Sequence, residues 1–244
     1  MDKAGVKCWV VILPILLLIQ ACAPKEEVAK KVYPAASPTP VRSSPDKVTK
    51  TVNVSFSTYS HDWPVGWEWI DPDDHPATPH NVKEQVLSVS IPTGKNLEPH
   101  VLNNAPRYLK ALTGDFEIKT QVDFLPKQNL QAAGLLVYWN DENYIRLERY
   151  FGRGGEGVHL AAGAADGMER IANVESDLSS VELRLIRRGM LFSAYWRASA
   201  ENEWKFVGQT DRAYPDTLMV GLAACNTAEP ITAKFGYITL DPVK

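Results

Sequence analysis

The feature that most constrains this chain is a period-two apolar pattern, carried in short runs from residue 51 onward and broken each time by turn residues. Alternation sends successive side chains to opposite faces of an extended chain. In "DFEIKTQVDFL" (115–125) it gathers Phe116, Ile118, Val122 and Phe124 on one side and Asp115, Glu117, Lys119 and Asp123 on the other. Eleven runs read this way: 51–57, 86–91, 115–125, 132–139, 143–150, 157–162, 181–188, 191–198, 204–210, 218–224 and 231–240. The segment "MERIANVESDLSS" (168–180) has room for at most a short helical turn. That many strands without a long helix require one sheet to close against another, so the domain is all-β, a sandwich over residues 51–244.

The ends set an expected address. Lys3 and Lys7 precede an apolar run from Trp9 to Ile19, too short to span a bilayer and suited to the core of an export signal. The run stops at "IQAC" (19–22), which resembles the lipobox of bacterial lipoproteins and implies cleavage after residue 21 and lipidation of Cys22. The other reading is an ordinary cleaved signal with a chance cysteine. Several acyl chains would hold the protein on a membrane, and Ala23 in place of Asp favours the outer membrane where the cell has one. Residues 22–50 carry five prolines and little apolar content, as a disordered tether does. With Cys8 removed and Cys22 lipidated, Cys225 in "LMVGLAAC" is left as a lone thiol, read as a small core residue, so no intramolecular disulfide forms. Loss of residues 1–21 leaves 24 basic against 28 acidic residues, a net charge of −4 that argues against nucleic acid as a partner.

The strand sequences carry a resemblance. "AAGLLVYWNDENYIRLERY" and "LRLIRRGMLFSAYWRASAENEWKFVG", closed by "AKFGYITL" and opened by "GWEW", resemble bacterial concanavalin A-like jelly rolls. That group includes stand-alone domains of unknown function and the C-terminal module of family 43 β-xylosidases. The resemblance covers roughly residues 55–242, with the group's Asp-Gly turn replaced by Glu201-Asn202-Glu203. It implies a concanavalin A-like jelly-roll sandwich of two antiparallel sheets, often binding glycans on a concave face, and a structural calcium ion as the one cofactor it admits.

Candidate sites follow from facing rules. If Trp139 pairs with Tyr144, then Val137 faces Arg146 and Leu135 faces Glu148, and Trp139, Tyr144, Arg146 and Glu148 line one aromatic and charged face suited to sugar. The competing reading is a solvated outer face. Asp71, Asp73 and Asp74 are candidate calcium ligands or, alternatively, an acidic turn around Pro72. Trp67 and Trp69 share one side of a strand, where they seal the sandwich or stack a sugar; sealing is the preferred reading. No catalytic residues are assigned. The Glu-x-Asp-x-x-Glu signature of jelly-roll glucanases, a nucleophile elbow and paired metal-ligand histidines are all missing, and Lys119 neutralises Glu117. The expected function is non-catalytic binding of a polysaccharide or glycan at the cell envelope. The alternatives are a jelly-roll glycoside hydrolase or lyase, and a scaffold for an envelope protein partner.

Overall fold

A computed structural model describes residues 45–56, 63–73, 77–152 and 155–243. In chain order its strands are β1 (Asp46–Lys47), β2 (Val52–Val54), β3 (Trp67–Ile70), β4 (His80–Lys83), β5 (Val86–Ile91), β6 (Leu97–Glu98), β7 (Leu102–Asn103), β8 (Arg107–Thr113) and β9 (Phe116–Asp123). They continue with β10 (Gln131–Asn140), β11 (Asn143–Gly152), β12 (Gly155–Ala164), β13 (Gly167–Glu175), β14 (Ser180–Arg188), β15 (Leu191–Arg197), β16 (Lys205–Asp211), β17 (Thr217–Cys225) and β18 (Ile231–Asp241).

Sixteen of these strands form two eight-stranded sheets, and β6 and β7 pair with each other. The first runs β1-β8-β17-β10-β11-β12-β13, with β3 also on β8; the second runs β16-β15-β14-β9-β18-β5-β4, with β2 on β18. All pairings within them are antiparallel except β1 with β8. The fold is the expected all-β sandwich, and all eleven runs are strands. Among the described residues pairing begins at Asp46, ahead of residue 51. Residues 168–180, which had room for a short helical turn, form none: Gly167–Glu175 is β13, an edge strand whose alternation is broken by a bulge opposite Leu160 and Ala161.

Between the sheets lies the main core, built by the alternate residues of each strand, such as Leu135 and Val137 with Ile145 and Leu147, facing Leu183, Leu185 and Phe235. Trp67 belongs to it and stacks on Tyr108 at 4.8 Å, while Trp69 stacks on His80 at 4.0 Å. The tryptophan pair therefore seals the sandwich. Cys225 is a buried free thiol, pushed up to about 12 by burial, as a structural cysteine should be.

A second, smaller apolar cluster covers the other face of the first sheet. It joins Leu97 and Ala105 to Leu136, Tyr144, Tyr150 and Cys225. The covering layer is a strap formed by residues 94–105 and containing β6 and β7. Lys95 pins one end by backbone bonds to Asn226, and His100 reaches the carbonyl of Ala165 in the β12–β13 turn.

Candidate functional site

The β10–β11 hairpin has a different register from the expected one. Asn140 Oδ1 accepts from the backbone N–H groups of Glu142 and Asn143 and from Asn143 Nδ2, tightening the turn so that Asn140 pairs with Asn143. Trp139 is left in a bulge, and pairing resumes with Tyr138 opposite Tyr144, Val137 opposite Ile145 and Leu136 opposite Arg146. A bulge of one residue exchanges the faces of everything beyond it. Val137 and Leu135 thus join Ile145 and Leu147 in the inter-sheet core, whereas Leu136 and Tyr138 share the outer face with Tyr144, Arg146 and Glu148.

Tyr144, Arg146 and Glu148 do lie on one face, but it is a covered one. All three are buried, and both Tyr144 Oη and Arg146 Nη1 donate to the carbonyl of Leu97 in the strap. Gly163 lies beneath the Tyr144 ring, where a Cβ would come within 2.7 Å of it. Arg146 donates from Nε to Glu148 Oε1 at 2.9 Å, and His159 Nε2 lies 3.2 Å from Glu148 Oε2. Burial alone would raise the Glu148 carboxyl, but Arg146 and His159 outweigh it and hold the group below its usual range; burial depresses His159. The cluster ties sheet to strap, and no sugar ring has access to stack on Tyr144. Trp139 is separate from it: it is 46 % exposed and packs against Tyr214, which in turn touches Phe192.

The acidic loop after β3 is also occupied. Lys95, 1 % exposed, donates to Asp71 Oδ1 at 2.9 Å and to the carbonyl of Asp73, while Asn104 Nδ2 donates to Asp73 Oδ2. Asp71 Oδ2 accepts from the Thr78 N–H. The Lys95 ammonium thus occupies the Asp71 carboxylate and the Asp73 carbonyl, oxygens that a calcium ion would need; Asp74 lies outside the described residues. Among those residues no cluster of three or more potential metal ligands is gathered. Glu117, largely buried, spends its carboxylate on Lys119 at 3.0 Å and Arg184 at 2.6 Å and is neutralised by them.

The open aromatic surface is on the outer face of the second sheet. β15 sends Phe192, Ala194 and Trp196 inward and Tyr195 and Arg197 outward, with Ser193 buried as well. Tyr195 meets Phe206 edge-on at 5.5 Å, and Phe206 is 53 % exposed. Trp204 lies beside them, with the Arg197 guanidinium 4.3 Å and that of Arg184 5.6 Å from its ring centre. A hollow of about 270 Å³ adjoins Trp204, lined also by Asn202, Glu203 and Lys205. One cross-strand row continues the platform through Arg184, Lys119, Thr239 and Asn53. Sequence reasoning passed over Tyr195, Trp204 and Phe206, although the alternation in "LFSAYWRA" already sets Tyr195 apart from the core aromatics.

Two packed jelly-roll sheets with an aromatic and polar outer surface define a concanavalin A-like β-sandwich. The chain belongs to the family described as "Protein of unknown function (DUF1349)", whose model matches residues 92–243. No curated protein sequence matches the chain. Among solved structures it is similar to a functionally unknown protein from Saccharomyces cerevisiae, at 11 % identity and a TM-score of 0.62, covering 73 % of this chain and 98 % of that one. It is similar to xylan beta-1,4-xylosidase from Bacillus halodurans, at 16 % identity and a TM-score of 0.61, covering 86 % of this chain but only 41 % of the xylosidase. Lectin I-B4 from Griffonia simplicifolia matches at 9 % identity and a TM-score of 0.51, over 78 % of this chain and 98 % of the lectin. At these identities the likeness is one of fold.

Proposed function

We propose that this protein is a non-catalytic carbohydrate-binding domain, held at the cell envelope by lipid on Cys22 and binding a polysaccharide across the outer face of its second sheet. Cys22 lies outside the described residues; its lipidation is supported by the export-signal core from Trp9 to Ile19 and by the "IQAC" resemblance. The observation that carries the binding reading is the open platform of Tyr195, Trp204 and Phe206, flanked by Arg184, Arg197 and Asn202. Flat aromatic rings accept the apolar faces of sugar rings, and the flanking side chains meet their hydroxyls. The fold shared with a lectin is consistent with this reading.

Affinity electrophoresis against a panel of soluble polysaccharides tests it. Retardation by at least one polysaccharide is expected, with Trp204→Ala and Phe206→Ala each weakening it about tenfold, the scale of one well-made stacking contact. Loss of retardation in Trp139→Ala with none in the other two would remove the site from the second sheet.

A further inference from the structure

The row that leaves the aromatic platform crosses six neighbouring strands without a break: Phe206 on β16, Tyr195 on β15, Arg184 on β14, Lys119 on β9, Thr239 on β18 and Asn53 on β2. None of the six is buried, so the row is an open strip on the outer face of the second sheet. Strands lie about 4.8 Å apart, which makes the strip about 24 Å long. That spacing is close to the length of one residue in an extended, equatorially linked pyranose chain. A glycan laid across the strands therefore meets one side chain per sugar, first the rings and then hydrogen-bonding groups. Sheet twist turns the side-chain direction by roughly 20–25° from each strand to the next. The strip winds with it and offers no flat surface over its full length.

Each cation along the strip already holds a carboxylate. Arg184 donates from Nη2 to Glu117 Oε2 at 2.6 Å, and the Lys119 ammonium lies 3.0 Å from Glu117 and 2.6 Å from Asp241. Beside Tyr195, Arg197 donates from Nε and Nη2 to Glu182 Oε2 at 2.7 Å and 2.5 Å. Glu117 and Glu182 are buried, which fixes these acceptors in place. Three cations thus face three carboxylates. A uronate or sulfated chain would bring a further anion to positions that already have one, and like charges set side by side cost affinity. Thr239 and Asn53, hydrogen-bonded to each other at 3.0 Å, finish the strip with a hydroxyl and a carboxamide, groups that give and take hydrogen bonds without charge.

We infer that the platform and its strip bind one uncharged, extended glycan chain lying across the strands, with about six sugar residues between the rings of Tyr195, Trp204 and Phe206 at one end and Thr239 and Asn53 at the other. The inference rests on the glycan-binding reading above and adds the class, length and direction of the ligand. The winding of the strip selects single chains over the flat face of a crystalline polysaccharide.

The test is affinity electrophoresis of the full chain in mixed-linkage β-glucan, glucomannan and galactomannan, and in polygalacturonate and alginate, each at low and at high salt. Depletion from solution by crystalline cellulose is measured alongside. Retardation by at least one of the neutral polymers is expected, unchanged by salt, with none by the acidic ones and no depletion by the crystalline solid. Oligosaccharides cut from the retarding polymer should relieve retardation about tenfold better at six residues than at two, through the added hydrogen bonds. Asn53→Ala, at the end of the strip away from the rings, should remove about fivefold of that gain, the scale of one hydrogen bond, with the circular dichroism unchanged. Retardation by no polysaccharide removes the platform reading and this inference together. Salt-sensitive retardation by the acidic polymers, depletion by crystalline cellulose, equal inhibition by two and six residues, or an unaltered gain in N53A would leave the platform in place and overturn the inference.

Discussion

Single side chains decide where polar groups are tolerated inside this sandwich. Lys95 is the clearest case, because an ammonium with almost no exposure survives only through Asp71 and the Asp73 carbonyl. Lys95→Met leaves Asp71 without its cation and is expected to cost about 3 kcal/mol, read as a fall in the chemical-denaturation midpoint at unchanged slope. Tyr144→Phe should cost less, about 1 kcal/mol, since Arg146 still donates to the carbonyl of Leu97. His159 adds a pH dependence. Its folded pKa is lowered by burial, so the unfolded chain takes up a proton first as pH falls. The stability it contributes is complete above the ordinary histidine range and is lost as pH falls through that range towards the depressed folded value. The unfolding midpoint should therefore drop between about pH 7 and 5, and His159→Asn should flatten that part of the profile.

Elements differ in how plainly their sequences announce them. The β4–β5 turn is built from Glu84 and Gln85 at φ of 52° and 63°, a two-residue connection for which such side chains are poorly suited. Replacing the pair by Asn-Gly should raise stability by about 1 kcal/mol, measured by thermal unfolding. Strands such as β9 and β15 were legible because apolar and polar residues still alternate along them. β8 was not, since the strap and its neighbours bury both of its faces over Arg107–Leu109 and erase the period. β13 was misread because its bulge breaks the alternation. The candidate site failed for a related reason. Grouping Tyr144, Arg146 and Glu148 on one face was correct, but the turn around Asn140 displaced Trp139 from that face, and no local pattern shows that residues 94–105, some forty positions earlier, lie across it.

At the scale of the molecule, the sandwich class was legible because many short alternating runs admit few other solutions, whereas strand order was not, being set by long-range pairing. β14, β15 and β16 are successive neighbours in the second sheet, yet β17 returns to the first sheet between β8 and β10, and β18 enters the second between β9 and β5. Non-local pairing of this kind slows folding, and refolding from denaturant is expected in the range of milliseconds to seconds or slower, measured by stopped-flow tryptophan fluorescence. Ending the chain after residue 230 removes β18 and leaves β9 and β5 each without a partner on one side. Such a chain should show no cooperative unfolding transition. β18 also imposes an order in time. A ribosome releases residues 231–241 after β1–β17, so the second sheet lacks its middle until those residues have emerged. Until then nothing joins the β9 half of that sheet to its β5 half, and the nascent sandwich cannot close.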